Sequence, residues 1–196
     1  THPERVIGLI LRGIFLNRPH DMDWLYNGAG ANFVFPDYWE DFTSAVKLND
    51  YNNYMEAYYA VLTGTDEVAR MAAAKAWSAW EGRCIALQLS HEAVETMTDP
   101  HFALSLARIE CHYFMNNCFL TPNQILNNMP KIHHIPSIIV HGRYDMVCSL
   151  ENAWTLHKAW PGSTLQIIPD AGHSSKEPGI VDALVRATHT LSELLR

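Results

Sequence analysis

Two apolar runs near the end of the chain constrain its fold more than any other feature. Ser137-Ile-Ile-Val-His-Gly-Arg-Tyr-Asp145-Met-Val-Cys148 runs through apolar residues to Gly142 and then presents a lone acid. Leu165-Gln-Ile-Ile-Pro-Asp-Ala-Gly172-His173-Ser174 does the same and presents a histidine. A short continuous apolar run bounded by turn residues is what a strand buried on both faces requires. Between the two runs, Ser149 can cap a helix carrying Ala153, Trp154, Leu156, His157 and Trp160. After the second, Glu177-Pro178 opens an amphipathic helix whose stripe is Ile180, Val181, Leu184, Val185, Leu191 and Leu194. Strand, helix, strand, helix in succession implies a parallel sheet flanked by helices, an α/β fold.

A third apolar run, Val6-Ile-Gly-Leu-Ile-Leu11, predicts another strand, and Arg12-Gly-Ile-Phe15 carries it into a loop. From Asn17 to about Asn128 the pattern is helical almost throughout. Asp21 is expected to cap a helix with Met22, Leu25 and Tyr26, and Pro36 to open one with Trp39 and Phe42. Aromatics recur at helical spacing from Tyr51 to Leu62, and Gly64 ends that segment. Thr65 is a plausible N-cap for a long helix reaching about Leu89, with Asp66 and Glu67 in its first turn. Asp99-Pro100 opens the next, to about Asn117, and Thr121-Pro122 a short one. The expected division is a sheet-bearing core, residues 1–16 and 130–196, and a helical cap, residues 17–129.

Composition narrows the function classes. The net charge of −7 argues against a nucleic-acid or anionic-membrane surface. No apolar run is long enough to span a bilayer, and no signal-peptide pattern is present. Cys84, Cys111, Cys118 and Cys148 form no C-x-x-C pair, so reduced thiols in a cytoplasmic protein are expected. Cys111-His112, His133-His134 and His141 match no zinc spacing, and no phosphate-cradling glycine loop occurs, so no cofactor is expected.

Asp145 and His173 are the residues best placed for chemistry. Taken alone, Asp145 is an ordinary strand-end turn acid and His173 a loop histidine. Together, an acid after one strand and a histidine after the next match the acid–histidine half of a Ser…Asp…His triad. Histidine titrates near neutrality and can carry a proton from a hydroxyl to a leaving amine, while the acid fixes its tautomer. The nucleophile is absent: no G-x-S-x-G occurs in the 196 residues, and neither Ser149 nor Ser174 sits on such a turn. Glu81 and Glu110 each share a helix face with apolar neighbours, Trp77 and Ile85 for the first, Leu106 and Phe114 for the second. A carboxylate on an apolar face needs a cationic partner. The pattern leaves two readings open, an ion pair with Arg83, Arg108 or Arg12, or a site for a cationic ligand such as a free amino group.

The chain resembles the prolyl aminopeptidases (proline iminopeptidases), serine peptidases of the α/β-hydrolase fold. The resemblance covers essentially the whole chain and rests on Thr1-His-Pro-Glu-Arg-Val6, Leu11-Arg-Gly-Ile-Phe15 and Ala74-Lys-Ala-Trp-Ser-Ala-Trp-Glu-Gly82. It continues through Ala107-Arg-Ile-Glu110, His112-Tyr-Phe114, Val140-His-Gly-Arg-Tyr-Asp145 and Gly172-His-Ser174. It implies that Asp145 and His173 are the triad acid and base. It implies further that Glu81 and Glu110 bind the free amine of a peptide with an N-terminal proline. Phe15 and Cys148 then resemble the lining of the proline pocket, and Arg12 a support for the glutamates. The family's His-Gly-Gly-Pro-Gly loop and Gly-Gly-Ser-Trp-Gly elbow are absent, so the chain looks like the C-terminal part of such an enzyme, inactive alone. The competing expectations are another α/β-hydrolase, an esterase or epoxide hydrolase, and a non-catalytic fragment that binds a partner or itself through the edge of strand Val6–Leu11.

Overall fold

The computed structural model describes residues 2–48 and 51–196. Thr1, the first residue of the expected core and of its opening motif, lies outside them. In chain order the elements are β1 (Leu9–Arg12), α1 (Pro19–Tyr26), α2 (Pro36–Ser44), α3 (Tyr54–Thr63), α4 (Glu67–Cys84), α5 (His91–Met97) and α6 (Pro100–Met115). There follow α7 (Gln124–Asn127), β2 (Ser137–Gly142), α8 (Leu150–Ala159), β3 (Ser163–Ile168) and α9 (Pro178–Leu194). The chain divides into two compact units.

One unit comprises residues 1–16, 85–87 and 122–196. Its sheet has the order β1-β2-β3, both pairs parallel, with Leu9 opposite Ser137 and Ser137 opposite Ser163. Every residue of β2 is buried, as the unbroken apolar run demands of a central strand. Successive β2 side chains alternate between two cores. Ile139 packs with Ala153, Leu156 and Trp160 on the α8 face, together with Ile14, Leu16 and Met129. Ile138 and Val140 pack with Ile180, Ala183, Ala187 and Leu191 on the α9 face.

The expected strand Val6–Leu11 begins later, at Leu9. Pro3–Arg5 form a 3-10 turn, Ile7 is 75% exposed, and the chain joins the sheet only where Leu9 N donates to Pro136 O. The expected boundary at 129/130 also moves. Residues 122–129 fall with the sheet-bearing unit, because Ile125, Leu126 and Met129 pack into the α8-face core.

The other unit comprises residues 17–84 and 88–121, helices α1 to α6. Its core is aromatic: Tyr26 stacks on Trp77 at 4.5 Å and Phe42 on Tyr58 at 4.5 Å, with Trp77 and Trp80 fully enclosed. Ala73, Ala74, Ala103 and Ala107 are wholly buried on α4 and α6, and their small side chains let these helices approach closely. Caps differ in detail from expectation. Asp66, not Thr65, caps α4, its Oδ1 accepting from Val68 N and Ala69 N. Asp21 lies within the first turn of α1 and reaches back to Arg18 N. Helix α4 ends at Cys84 instead of Leu89, and the separate α5, capped by Ser90, was not anticipated. Among the described residues no helix is long and apolar enough to cross a membrane.

Candidate active site

In the sheet-bearing unit the loops after β1, β2 and β3 converge. Asp145 ends the turn after β2 and is 3% exposed. Its Oδ1 accepts from Val147 N at 3.0 Å and Cys148 N at 2.8 Å, which fixes the carboxylate in the turn. His173, in the loop after β3, brings Nδ1 to 2.9 Å from Asp145 Oδ2 and 3.1 Å from Oδ1. Arg12, at the end of β1, donates to His173 Nε2 at 2.9 Å and to His173 O at 2.9 Å. A guanidinium can only donate, so Nε2 accepts and the ring proton sits on Nδ1, facing the carboxylate. This is the tautomer a general base needs, with its lone pair on the nitrogen remote from the acid.

Glycines make the convergence possible. Gly13, between Arg12 and Ile14, has φ +57° and lies against the His173 ring: a Cβ there would be 2.9 Å from Cε1. A Cβ on Gly142 would stand 2.0 Å from Gly172 O, so only glycine lets β2 pass the histidine loop. That loop is tied down from behind. Glu177, at the N-terminus of α9, accepts from Gly172 N at 2.9 Å and Leu87 N at 3.2 Å, while His173 N donates to Ile85 O at 3.0 Å.

His141, on β2, completes the frame at 1% exposure. Ile14 N donates to its Nδ1 at 3.4 Å, and its Nε2 donates to Cys148 O at 2.9 Å. Burial lowers its pKa, an effect that the Asp145 charge and the Cys148 carbonyl only partly oppose. Cys148 is buried in the acid turn, and Phe15 is half-buried in the loop that follows Arg12.

In the helical unit the two glutamates come together. Glu81, on α4, is 7% exposed and accepts from the Tyr26 hydroxyl at 2.6 Å. Glu110, on α6, accepts from Trp77 Nε1 at 3.0 Å. Burial raises the Glu81 pKa well above its ordinary value, and the neighbouring Glu110 carboxylate, by charge and by hydrogen bond, raises it further. Tyr26 and Trp77 pull the other way without reversing it. The ion-pair alternative fails for Arg83, which pairs with Asp41 at 2.6 Å and lies over the Tyr38 ring. Arg108 is exposed on α6, and within this unit, among the described residues, no cation reaches either glutamate. The arrangement is a pair of neighbouring carboxyls among aromatic rings, Glu81 buried and Glu110 half-buried, chemically suited to an ammonium group.

Of the residues the sequence points to, Asp145, His173, Arg12 and Cys148 come together in one unit and Glu81 and Glu110 in the other, while Phe15 lies half-buried three residues beyond Arg12. Arg12, expected as a support for the glutamates, has its guanidinium on His173 instead. His141, Glu177, Tyr26 and Trp77 were not foreseen. The one available signal was His141 itself, a polar residue inside an otherwise apolar central strand.

A parallel sheet with an acid after one strand and a histidine after the next defines an α/β hydrolase, and residues 1–179 match the alpha/beta hydrolase fold. The chain belongs to that family. It is similar to proline iminopeptidases: 47% identical over 189 residues to that of Xylella fastidiosa (strain Temecula1 / ATCC 700964), covering 96% of this chain and 60% of the relative. It is 50% identical over 181 residues to that of Xanthomonas citri, covering 92% and 58%. It is 44% identical over 197 residues to that of Arabidopsis thaliana, covering 100% and 52%. The chain thus spans about 60% or less of the length of these relatives. Among solved structures, an esterase (EaEST) from Exiguobacterium antarcticum aligns with 74% of this chain and 49% of its own, at 20% identity and a TM-score of 0.43.

Proposed function

We propose that this chain supplies the acid, the base and the amine-binding site of a serine-type aminopeptidase that releases N-terminal proline from peptides. The observation that carries the reading is the Glu81–Glu110 pair. An esterase or epoxide hydrolase has no use for two carboxylates sharing an aromatic site, whereas an enzyme that removes one residue from a chain end must recognise the terminal ammonium. Relatives named proline iminopeptidase support the same reading.

In this reading residues 17–84 and 88–121 form the cap and the sheet-bearing unit the catalytic core. A serine hydroxyl attacks the prolyl carbonyl, and His173 Nε2 takes its proton as Arg12 withdraws. Asp145 stabilises the resulting imidazolium, and the proton passes to the leaving amine. Water then cleaves the prolyl ester by the same relay. Phe15 and Cys148 border the proline ring. No Gly-x-Ser-x-Gly stands in these 196 residues, so the chain alone binds substrate amines without turning them over. Four free thiols, three of them buried, suit a cytoplasmic setting.

Calorimetric titration of L-prolinamide tests the reading. Glu81→Gln and Glu110→Gln should each weaken binding about 10- to 100-fold, the range expected for loss of one charged hydrogen bond. Unchanged affinity in both variants would return the chain to the esterase or epoxide-hydrolase alternative. Hydrolysis of proline p-nitroanilide by the 196-residue chain, abolished by His173→Ala, would contradict the expected inactivity.

A further inference from the structure

His141 stands where the loops after β1 and β2 meet one ring. Its Nδ1 accepts from Ile14 N, two residues beyond Arg12 and next to Gly13, the residues that touch His173. Its Nε2 donates to Cys148 O, and Cys148 N in turn holds Asp145 Oδ1. The same Nε2 lies 3.3 Å from Asp145 Oδ2, the oxygen that faces His173 Nδ1 at 2.9 Å. Both partners fix the ring's state. An amide N–H can only donate and a carbonyl can only accept, so His141 carries one proton, on Nε2, and is neutral.

We propose that His141 is a positioning residue: as the neutral Nε2–H tautomer it locks the loop that follows Arg12 to the turn bearing Asp145, and so holds His173 in its Nδ1–H form. The ring does not touch the reacting atoms. It acts through Ile14 and Cys148 on the two residues that grip His173 from opposite sides. No other residue type offers one acceptor and one donor on a rigid ring at this spacing. Leucine or valine would suit the apolar strand better and would take away the ring's bonds to Ile14 N and Cys148 O in the interior. A second proton on Nδ1 would confront the Ile14 N–H and turn His141 into a cation beside Asp145, competing with His173 for the carboxylate. The charged and titratable groups facing it are Asp145 from the turn after β2, His173 from the loop after β3, and Arg12 from β1.

The proposal concerns the acid–base pair of the reading above, but its test uses the substrate-free chain and does not depend on what that pair acts on. Long-range ¹H–¹⁵N correlation of the unaltered protein should show His141 protonated at Nε2 only and His173 at Nδ1 only. His141→Phe keeps the ring volume and removes both contacts. In the folded variant the His173 Nδ1–H resonance should be lost to exchange between tautomers. Should that variant not fold, His141→Gln, which keeps one acceptor and one donor on a flexible chain, supplies the second measurement: its His173 Nδ1–H resonance should be weakened by faster exchange. A folded His141→Phe or His141→Gln chain with the His173 resonance of the parent would overturn the proposal.

Discussion

Gly13→Ala should damage the site from the backbone outward. The residue has φ +57°, in the left-handed region, and a Cβ built on it stands 2.9 Å from His173 Cε1, 3.5 Å from Nδ1 and 3.6 Å from Nε2. Holding alanine in that conformation costs about 1–2 kcal/mol. The methyl must also gain about half an ångström to reach ordinary contact with the ring, whose side chain is only 18% exposed. Retreat of His173 stretches its 2.9 Å contacts to Asp145 and to Arg12. Partial loss of one such charge-assisted bond brings the total to about 2–4 kcal/mol, or a melting point lower by roughly 4–16 °C in a chain of this length.

Gly28→Ala is the matched control. Gly28 has φ +81° and its Cβ would meet Trp39 Cζ2 at 3.3 Å, within the helical unit. That variant should show the backbone cost of about 1–2 kcal/mol and keep the His173 Nδ1–H resonance. Thermal melts and the imidazole proton spectrum, measured on both variants, separate the two contributions. A Gly13→Ala chain with the melting point and His173 resonance of the parent would refute the reasoning.

Other expectations concern the loop behind the histidine and the carboxyl pair. Glu177→Ala removes the acceptor of Gly172 N and Leu87 N, and should cost about 1–3 kcal/mol and speed amide exchange at both positions, whereas Glu177→Gln should restore part of the protection. Because the fold raises the Glu81 pKa above its ordinary value of 4.5, its stabilising contribution is complete below that value. It is lost as pH rises through the folded value, so denaturant midpoints should fall across that window in the parent and not in Glu81→Gln. An ammonium ligand reverses the preference by favouring the ionised pair. L-prolinamide binding should therefore release protons wherever Glu81 is still protonated, seen as a dependence of the calorimetric heat on buffer ionisation enthalpy. Tyr26→Phe removes a hydrogen bond that favours the ionised form and should move the Glu81 titration, followed by carboxyl ¹³C NMR, to higher pH.

Much of this architecture was legible in the chain as a string. The continuous apolar run at Ile138–Val140 specifies a strand buried on both faces, and Leu165–Ile168 pairs parallel beside it after one helix, although only the ends of that strand are buried and the Ser149 side chain makes no capping bond to the helix between them. Asp145 and His173 could be named because both follow such runs through a glycine. Local chemistry was less secure at the margins. Val6 to Gly8 is as apolar as a strand, yet pairing starts at Leu9, because strand status depends on a partner's carbonyl and not on composition. The short helix α5 was missed because seven residues give too few turns for a period to show.

The sequence by itself singled out Asp145, His173, Glu81 and Glu110 and the elements on which they ride. The tertiary structure alone decided how they are held. Glu81 and Glu110 could each have been one half of a surface-linked ion pair; α4 and α6 pack so that they meet each other among Tyr26, Trp77 and Phe114. Arg12 could have served either cluster, and the end of β1 delivers it to His173 Nε2. His141 looked like a histidine stranded in a strand until Ile14 and Cys148, from two other segments, gave each ring nitrogen its partner. Hydrogen bonds of this kind join residues up to 161 positions apart, and their directions depend on backbone groups that every residue possesses, so no pattern of side-chain types along the chain records them.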